Sequence, residues 1–461
     1  MSKTQRSAEQ VSEMMPIYQR LLPTQIIEQL MAETRQVFYQ RLLPPVLVVW
    51  GFIFQRLNAD HSCDTAWEHL ASEAANPLRG GRSLGAHTAS ESTSAYCQAR
   101  QRLPLSVAQG ALRYSAQALQ AEFAAGLWHG WRVNLFDGST LQLRATQELK
   151  AHYGVPSNQH GEAHWPLLRT VVGFDVWSGT AYGLAEGPYR VGEHQLAHTL
   201  IQDLGTGYLH VGDRNFGVYA ILQGVVAAGS QALLRLKVTQ ARRLGGTSLQ
   251  PGCDLQVVWS PSKQDDCLPQ VTTPPIPGRL IYARLEKSGF RPIDLYLFTT
   301  LCDAQAYPTQ AIVDLYGWRW RNEIDLRHIK TTLRMEALDG KSVDMVRKEL
   351  YLGLLAYNLM RGLMGLAALR TGSEPLRLSF SMCWRRITYL GYALPENPSE
   401  DQMDKVLDYL LGRLGRCGLP NRHKERFEPR AVWGRPRVFP SLKDSREQAR
   451  LAALDDLKPI S

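Results

Sequence analysis

The stretch "YGWRWRNEIDLRHIK", residues 316–330, decides how the rest of the chain is read. At about 100° per residue on a helix, Tyr316, Arg319, Glu323 and Lys330 fall within roughly 60° of one another. Leu315, Trp318, Leu326, Ile329 and Leu333 form a separate apolar stripe beside them. A solvated helix face would be equally polar, so the row of phenol, guanidinium, carboxylate and ammonium gains meaning only from what the remaining sequence places with it.

Two other acids stand out because each directly follows an apolar strand. Asp137 comes after "VNLF" and before Gly138 and Ser139; Asp213 comes after "YLHVG" and before Arg214, Asn215 and Phe216. The carboxyl end of a central strand is the rim where open α/β sheets bind ligands. Each acid taken singly has an ordinary reading: Asp137 as a D-G turn former, Asp213 as a strand-end cap, and Glu323 as the i,i+4 partner of Arg327. Together, two strand-end aspartates and a helix-borne glutamate are what is needed to hold two divalent ions roughly 3.5 to 4 Å apart on hard oxygen ligands. Such a pair stabilises the attacking and departing oxygens of an in-line phosphoryl displacement. Neutral ligands would leave its charge uncompensated, and thiolates would select other metals.

Composition agrees with a polyanionic partner without requiring one. The 461 residues carry Lys+Arg 52 against Asp+Glu 43, a net charge of +9, and 44% hydrophobic residues, enough to bury a substantial core. Seven scattered cysteines contain no C-x-x-C pair, which points to a reducing cytoplasm rather than a disulfide scaffold or a zinc site. The N-terminus "MSKTQRSAEQVSEMM" has no secretory pattern. The longest greasy run, residues 42–54, is too short to span a bilayer and reads as a buried helix.

Along the chain, helical spacing dominates to about residue 125, interrupted by the Gly/Arg/Ser-rich "LRGGRSLGAHTASESTS". From about 131, short strands "WRVNLFDGS", "LLRTVVGFDVW", "GTAYGLAEG" and "GYLHVGD" appear, then a helix and "QALLRLKV". The order predicts a mixed α/β sheet covered by helices. Residues 239–301 turn β-rich and loop-rich, like an insertion rather than a continuation of the alternation. A long apolar helix, "VRKELYLGLLAYNLMRGLMGLAALR", and an Arg-rich tail follow. The resulting division is a helical domain over 1–125, a catalytic core over 126–238 and 302–395 split by the insertion 239–301, and a basic region over 396–461. Asn358 and Arg361 mark the long helix as core rather than membrane.

The spacing Tyr316, two residues, Arg319, three residues, Glu323, six residues, Lys330 resembles in full the Y-(2)-R-(3)-E-(6)-K signature of the insertion-sequence-four family of bacterial DDE transposases. "FDGS" and "GDRNFG" resemble that family's first and second catalytic motifs, in order, with the β-rich insertion between the second Asp and the Glu. Similarity extends upstream to "SCDTAWEHL" and "YCQARQRLP" and downstream to "RFEPRAVWGRPRVFP", although the family tail often has Lys or Arg where Trp433 stands. The resemblance implies a ribonuclease H-like core that nicks DNA at transposon ends and joins the 3′-hydroxyl to target DNA with two Mg²⁺ ions, Mn²⁺ substituting. It implies Asp137, Asp213 and Glu323 as catalytic, metal-binding residues, and the helical N-terminal region as reader of the terminal repeats. Synapsis of two ends requires at least a homodimer.

On that footing Arg319 grips a phosphate oxygen bidentately, Lys330 adds a compact charge and Tyr316 hydrogen-bonds or stacks. Further DNA-binding candidates are Arg235 in "LLRLKV", which could equally pair with an acid, and Arg100 and Arg102 in "YCQARQRL", which a solvated helix face explains nearly as well. Trp259 is the candidate for stacking a flipped base, with packing inside the inserted strands as its equal alternative. His194 and His198 have zinc-like spacing but no third ligand, which leaves a surface or supporting role. The tail Arg413–Arg437 suits dimerisation or phosphate contact. A ribonuclease H-like nuclease without strand transfer and a silent DNA-binding regulator are the competing functions.

Overall fold

The computed structural model describes residues 15–35, 43–58, 60–71, 92–123, 127–159, 161–261, 274–285, 293–319, 325–390 and 400–419, with 445, 447–448 and 451 near the end. Glu323 and most of the basic tail, Trp433 included, lie outside them. Helices α1 (Met15–Leu21), α2 (Thr24–Glu33), α3 (Pro45–Leu57), α4 (Cys63–Ala71), α5 (Ser94–Arg102) and α6 (Leu105–Glu122) come first. The stretch from 95 to 119 reads as one helix in sequence, but Pro104 forces Leu103 into an extended conformation and splits it into α5 and α6.

Next in the chain come β1 (Arg132–Gln142), α7 (Gln147–Tyr153), the short ribbon β2 (Ser157–Asn158) and β3 (Gly161–Glu162), β4 (Leu167–Asp175), β5 (Ala181–Pro188) and α8 (Glu193–Leu204). They lead into β6 (Tyr208–Gly212), α9 (Tyr219–Ala227), β7 (Gln231–Arg235), α10 (Val238–Gly245), β8 (Asp254–Trp259), β9 (Ile276–Leu285) and β10 (Ile293–Thr299). Last come α11 (Thr309–Gly317), α12 (Val343–Thr371), α13 (Phe380–Leu390) and α14 (Glu400–Gly415).

One eight-stranded sheet runs in the order β5-β4-β1-β6-β7-β10-β9-β8. β5, β4 and β1 pair antiparallel; β6 and β7 then lie parallel to β1 and to each other. The strands of the inserted region form an antiparallel meander on the free edge of β7. They interrupt the alternation as expected, yet they extend the same sheet instead of making a separate layer.

Strand alternation sorts the side chains onto two faces. Phe136, Val171, Ala232, Leu234, Leu280 and Phe298 point to one core, shared with α8, α9 and α10. Val133, Leu135, Leu209, Val211, Leu233 and Ile281 point to the other, against Ile312, Val313, Leu315 and Tyr316 of α11. A third core joins the N-terminal helices and the outer strands β4 and β5 to α12. α12 is long and apolar enough to cross a membrane by length and composition alone, but its apolar window is 89% buried. Its polar residues stitch the layers together. Asn358 accepts from the Ala181 N–H at 2.8 Å and donates to the Ala181 carbonyl at 2.9 Å and the Ser115 hydroxyl at 3.0 Å. Glu349 takes the buried Arg56 of α3 as an ion-pair partner.

The helix expected through 316–330 is not continuous over the described residues. α11 ends at Gly317, and a π-helical turn occupies His328–Thr332. A wider turn shifts the helical register. The apolar stripe divides where α11 stops: Leu315 lies under the sheet, Leu326, Ile329 and Leu333 enter the α12 core, and Trp318 is 36% exposed.

Buried histidines make the fold acid-sensitive. Burial pushes the His210 imidazole down to about 3, and that of His328 likewise to about 3; His61 is lowered to about 4 by burial and then by Arg56. An unfolded imidazole titrates near 6.5, so below that pH the unfolded chain binds protons that the fold refuses. The stability held by the neutral rings is complete above about pH 6.5 and drains as pH falls towards 4, by up to about 1.4 kcal/mol per pH unit per ring. Thermal unfolding from pH 7 to 4.5 should show a steadily falling midpoint, with a shallower slope in His210→Asn. A midpoint constant over that range would contradict this account.

Candidate active site

The last parallel pair between β1 and β6 is Leu135 with Val211. Two residues further along both strands stand Asp137 and Asp213, level with each other. β6 pairs with β7 as far as Gly212 with Leu234, so one further step brings Asp213 level with Arg235. Adjacent strands are about 4.8 Å apart, so the backbone sets the two acids side by side. By alternation Asp137 and Arg235 continue the rows Val133-Leu135 and Leu233 towards α11, while Asp213 stands one residue past the end of β6.

Asp137 is not at the end of its strand, as the sequence suggests, but in its middle, since β1 continues beside β4 to Gln142. What ends at Asp137 is the cover from β6, which exposes a polar position on one side of a rigid strand. Its Oδ1 accepts the Gly138 N–H at 2.8 Å. Asp213 opens a tight turn in which its Oδ1 accepts the Asn215 N–H at 2.7 Å. Gly217 ends that turn for a steric reason: a Cβ there would lie 2.1 Å from the Arg235 carbonyl oxygen.

Tyr316 is buried at the end of α11, 5% exposed. Burial raises its phenol above the ordinary range; Arg319 and Arg235 pull it back, and Asp213 raises it further. Arg319 is itself buried and donates its backbone N–H to the Tyr316 carbonyl at 3.0 Å, and Arg235 closes β7 level with Asp213. The structure therefore gathers five of the sequence candidates: Asp137, Asp213, Arg235, Tyr316 and Arg319. Lys330 is half-buried in the π-turn. Among the described residues no group of three or more His, Cys, Asp or Glu side chains could hold a metal, and Glu323, the third expected acid, is not one of those residues.

Two candidates belong elsewhere. Trp259 is fully buried on the opposite sheet face, with edge contacts to Phe298 at 5.0 Å and Tyr219 at 6.3 Å. It has no free face for a base, because the inserted strands join the main sheet and use it as core. Arg100 is turned inward: it donates to the Cys63 sulfur at 2.7 Å and lies over the Phe52 ring at 4.3 Å. Arg102 of the same helix is exposed.

Two supporting features escaped the sequence reading. Asp325 is an almost fully buried partner of Arg361 from α12, and Arg361 also donates to the Tyr357 hydroxyl at 2.8 Å. Glu193 and His194 meet Asn215: Asn215 Nδ2 donates to Glu193 Oε2 at 2.8 Å, and His194 Nε2 donates to the Asn215 carbonyl at 2.7 Å. The zinc-like spacing of His194 and His198 thus resolves into one histidine behind the Asp213 turn and another packed on Gly224. No local pattern could have signalled either pairing, since the partners are 21 to 36 residues apart.

A family model described as "Transposase DDE domain" matches residues 128–359, from just before β1 into α12. The chain belongs to the DDE transposase family. Two proteins of Escherichia coli (strain K12) are similar to this transposase. The transposase InsG for insertion sequence element IS4 is 27% identical over 437 residues, 91% of this chain and 92% of that one. The putative transposase InsZ is 27% identical over 125 residues, 27% of this chain and 42% of that protein. A solved piggyBac transposase synaptic complex with hairpin DNA has a TM-score of 0.40 at 10% identity, covering 88% of this chain and 85% of that one, too distant a likeness to argue from. DDE transposases cleave DNA and join it, generally with divalent metals, and the level pair Asp137 and Asp213 stands inside the matched region.

Proposed function

We propose that this DDE transposase is of the insertion-sequence-four type, binds the terminal repeats of its own element, cleaves DNA at their ends and joins the freed 3′-hydroxyl to target DNA. The observation that carries this reading is the row across β1, β6 and β7, which sets Asp137 and Asp213 at one level and Arg235 beside them, next to α11 and its Tyr316. The order β5-β4-β1-β6-β7, antiparallel over the first three strands and parallel over the last two, supports a ribonuclease H-like core.

The donor chemistry fits two Mg²⁺ ions, with Mn²⁺ as substitute: the groups on offer are carboxylates, hard oxygen ligands, and no thiol belongs to the row. Asp137 and Asp213 would hold the metals, Glu323 completing the set. Bound there, the ions would supply Lewis acidity at the attacking and leaving oxygens of the phosphodiester. Arg319 and Arg235 orient the phosphate, and Lys330 adds charge from the π-turn. The buried, neutral Tyr316 phenol donates a hydrogen bond without adding charge.

In this reading the helical region up to about residue 125 recognises the ends, with exposed Arg102 as a contact, and two copies of the chain hold two ends together in the bacterial cytoplasm. A DNA carrying one pre-cut element end, incubated with target plasmid, the protein and Mg²⁺, should yield a joined product. Cutting without joining would favour a plain nuclease, and binding without cutting a regulator.

A further inference from the structure

We propose that Glu193 is a positioning residue of the transposase centre, holding the two catalytic aspartates in register from behind the sheet. It rests on the reading of Asp137 and Asp213 as the metal-holding pair. Glu193 is the first residue of α8, and its carboxylate touches both motifs at once. Oε2 accepts from Asn215, whose own N–H goes to Asp213 Oδ1. The same carboxylate lies across Gly138: a Cβ there would come within 2.7 Å of Glu193 Cδ and 2.9 Å of Oε1. The motif glycine thus leaves room for the glutamate on top of it, and a larger residue there would have to push the carboxylate aside.

The side of approach fixes the role. Asp137 continues the odd row of β1 towards α11, whereas Gly138 belongs to the even row with Phe136, on the face covered by α8. Glu193 consequently comes from the opposite side of the strand to the Asp137 side chain, as a clasp between β1 and the Asp213 turn and not as a third ligand between the ions. His194, next to it, closes the clasp on the Asn215 carbonyl. An acid at a helix start is also favoured simply by the helix dipole. The two roles separate chemically, because the clasp needs an acceptor atom and the dipole needs a charge.

Three variants test this: Glu193→Ala, Glu193→Gln and Asn215→Ala, with Asp137→Asn as control. The readouts are cleavage rate, Mn²⁺ affinity by calorimetry without DNA, and end binding without metal. Glu193→Ala and Asn215→Ala should lose about 10- to 100-fold in cleavage and in Mn²⁺ affinity, the usual effect of removing a group that orients ligands, while end binding is kept. Glu193→Gln, which retains an acceptor for Asn215, should recover to within a few-fold of the unaltered protein. Should Glu193→Ala not fold, Glu193→Gln and Asn215→Ala decide alone. Full activity in Asn215→Ala, or a Glu193→Gln as impaired as the alanine variant, overturns the clasp while Asp137→Asn remains inactive. Normal cleavage by Asp137→Asn overturns the site itself and the clasp with it.

Discussion

Asp213→Asn should lower Mg²⁺-dependent cleavage of an element end by on the order of 10³-fold or more, since on the proposed function it would remove a carboxylate offered to the metals where negative charge develops in the transition state. Asp137→Asn should do the same. Both replacements are nearly isosteric, and the asparagine carbonyl can still accept the N–H that each aspartate takes from its own turn. End binding measured without metal should therefore stay within a few-fold, as should the unfolding midpoint. With both side chains serving one pair of metal ions, as proposed, the double variant should be hardly worse than either single one, as is found for groups that act as a unit. Cleavage retained in either variant would remove that residue from the chemistry.

The second large effect concerns stability. Arg361 and Asp325 are both about 3% exposed in their side chains and form an ion pair deep beneath α12. Replacing Arg361 with methionine leaves the Asp325 carboxylate buried without its countercharge, which costs about 3–5 kcal/mol. Denaturant unfolding should show that loss, and the double variant Asp325→Leu/Arg361→Met should regain most of it, since a pair exchanged for well-packed apolar side chains is often neutral. Arg361 also lies over the Phe380 ring, 5.2 Å from its centre, so part of the loss will persist in the double variant. Asp325 is two positions beyond Glu323. The single Arg361 variant should therefore lose cleavage even at temperatures where it remains folded, because the anchor of that segment is gone.

Much of this was legible in the sequence wherever a local rule applied. The apolar runs before Asp137 and Asp213 announced strands, whereas the helical period drawn through Arg319 fails, since α11 stops at Gly317. The order of strands and helices announced a mixed sheet, but not that β1 and β6 would be parallel neighbours in it. Local rules failed wherever the decisive contact joined distant segments. Trp259 seemed available because the inserted strands looked separate; once they extend the sheet from β7, its ring becomes core. Arg100 looked like a DNA contact because guanidinium groups near a helix end usually face water, yet Cys63 and Phe52 from two other helices enclose it. Glu193 was invisible for the same reason in reverse, since only the fold reveals that Gly138 and Asn215 share one neighbour.

The parallel contact between β1 and β6 also governs when, during synthesis, the two acids can meet. The first acid leaves the ribosome far ahead of the second, and the stretch between them has to fold back through β4, β5 and α8 before the two stand side by side. Until that long crossover closes the two acids stand apart, so a chain truncated before β6 carries only the first of them.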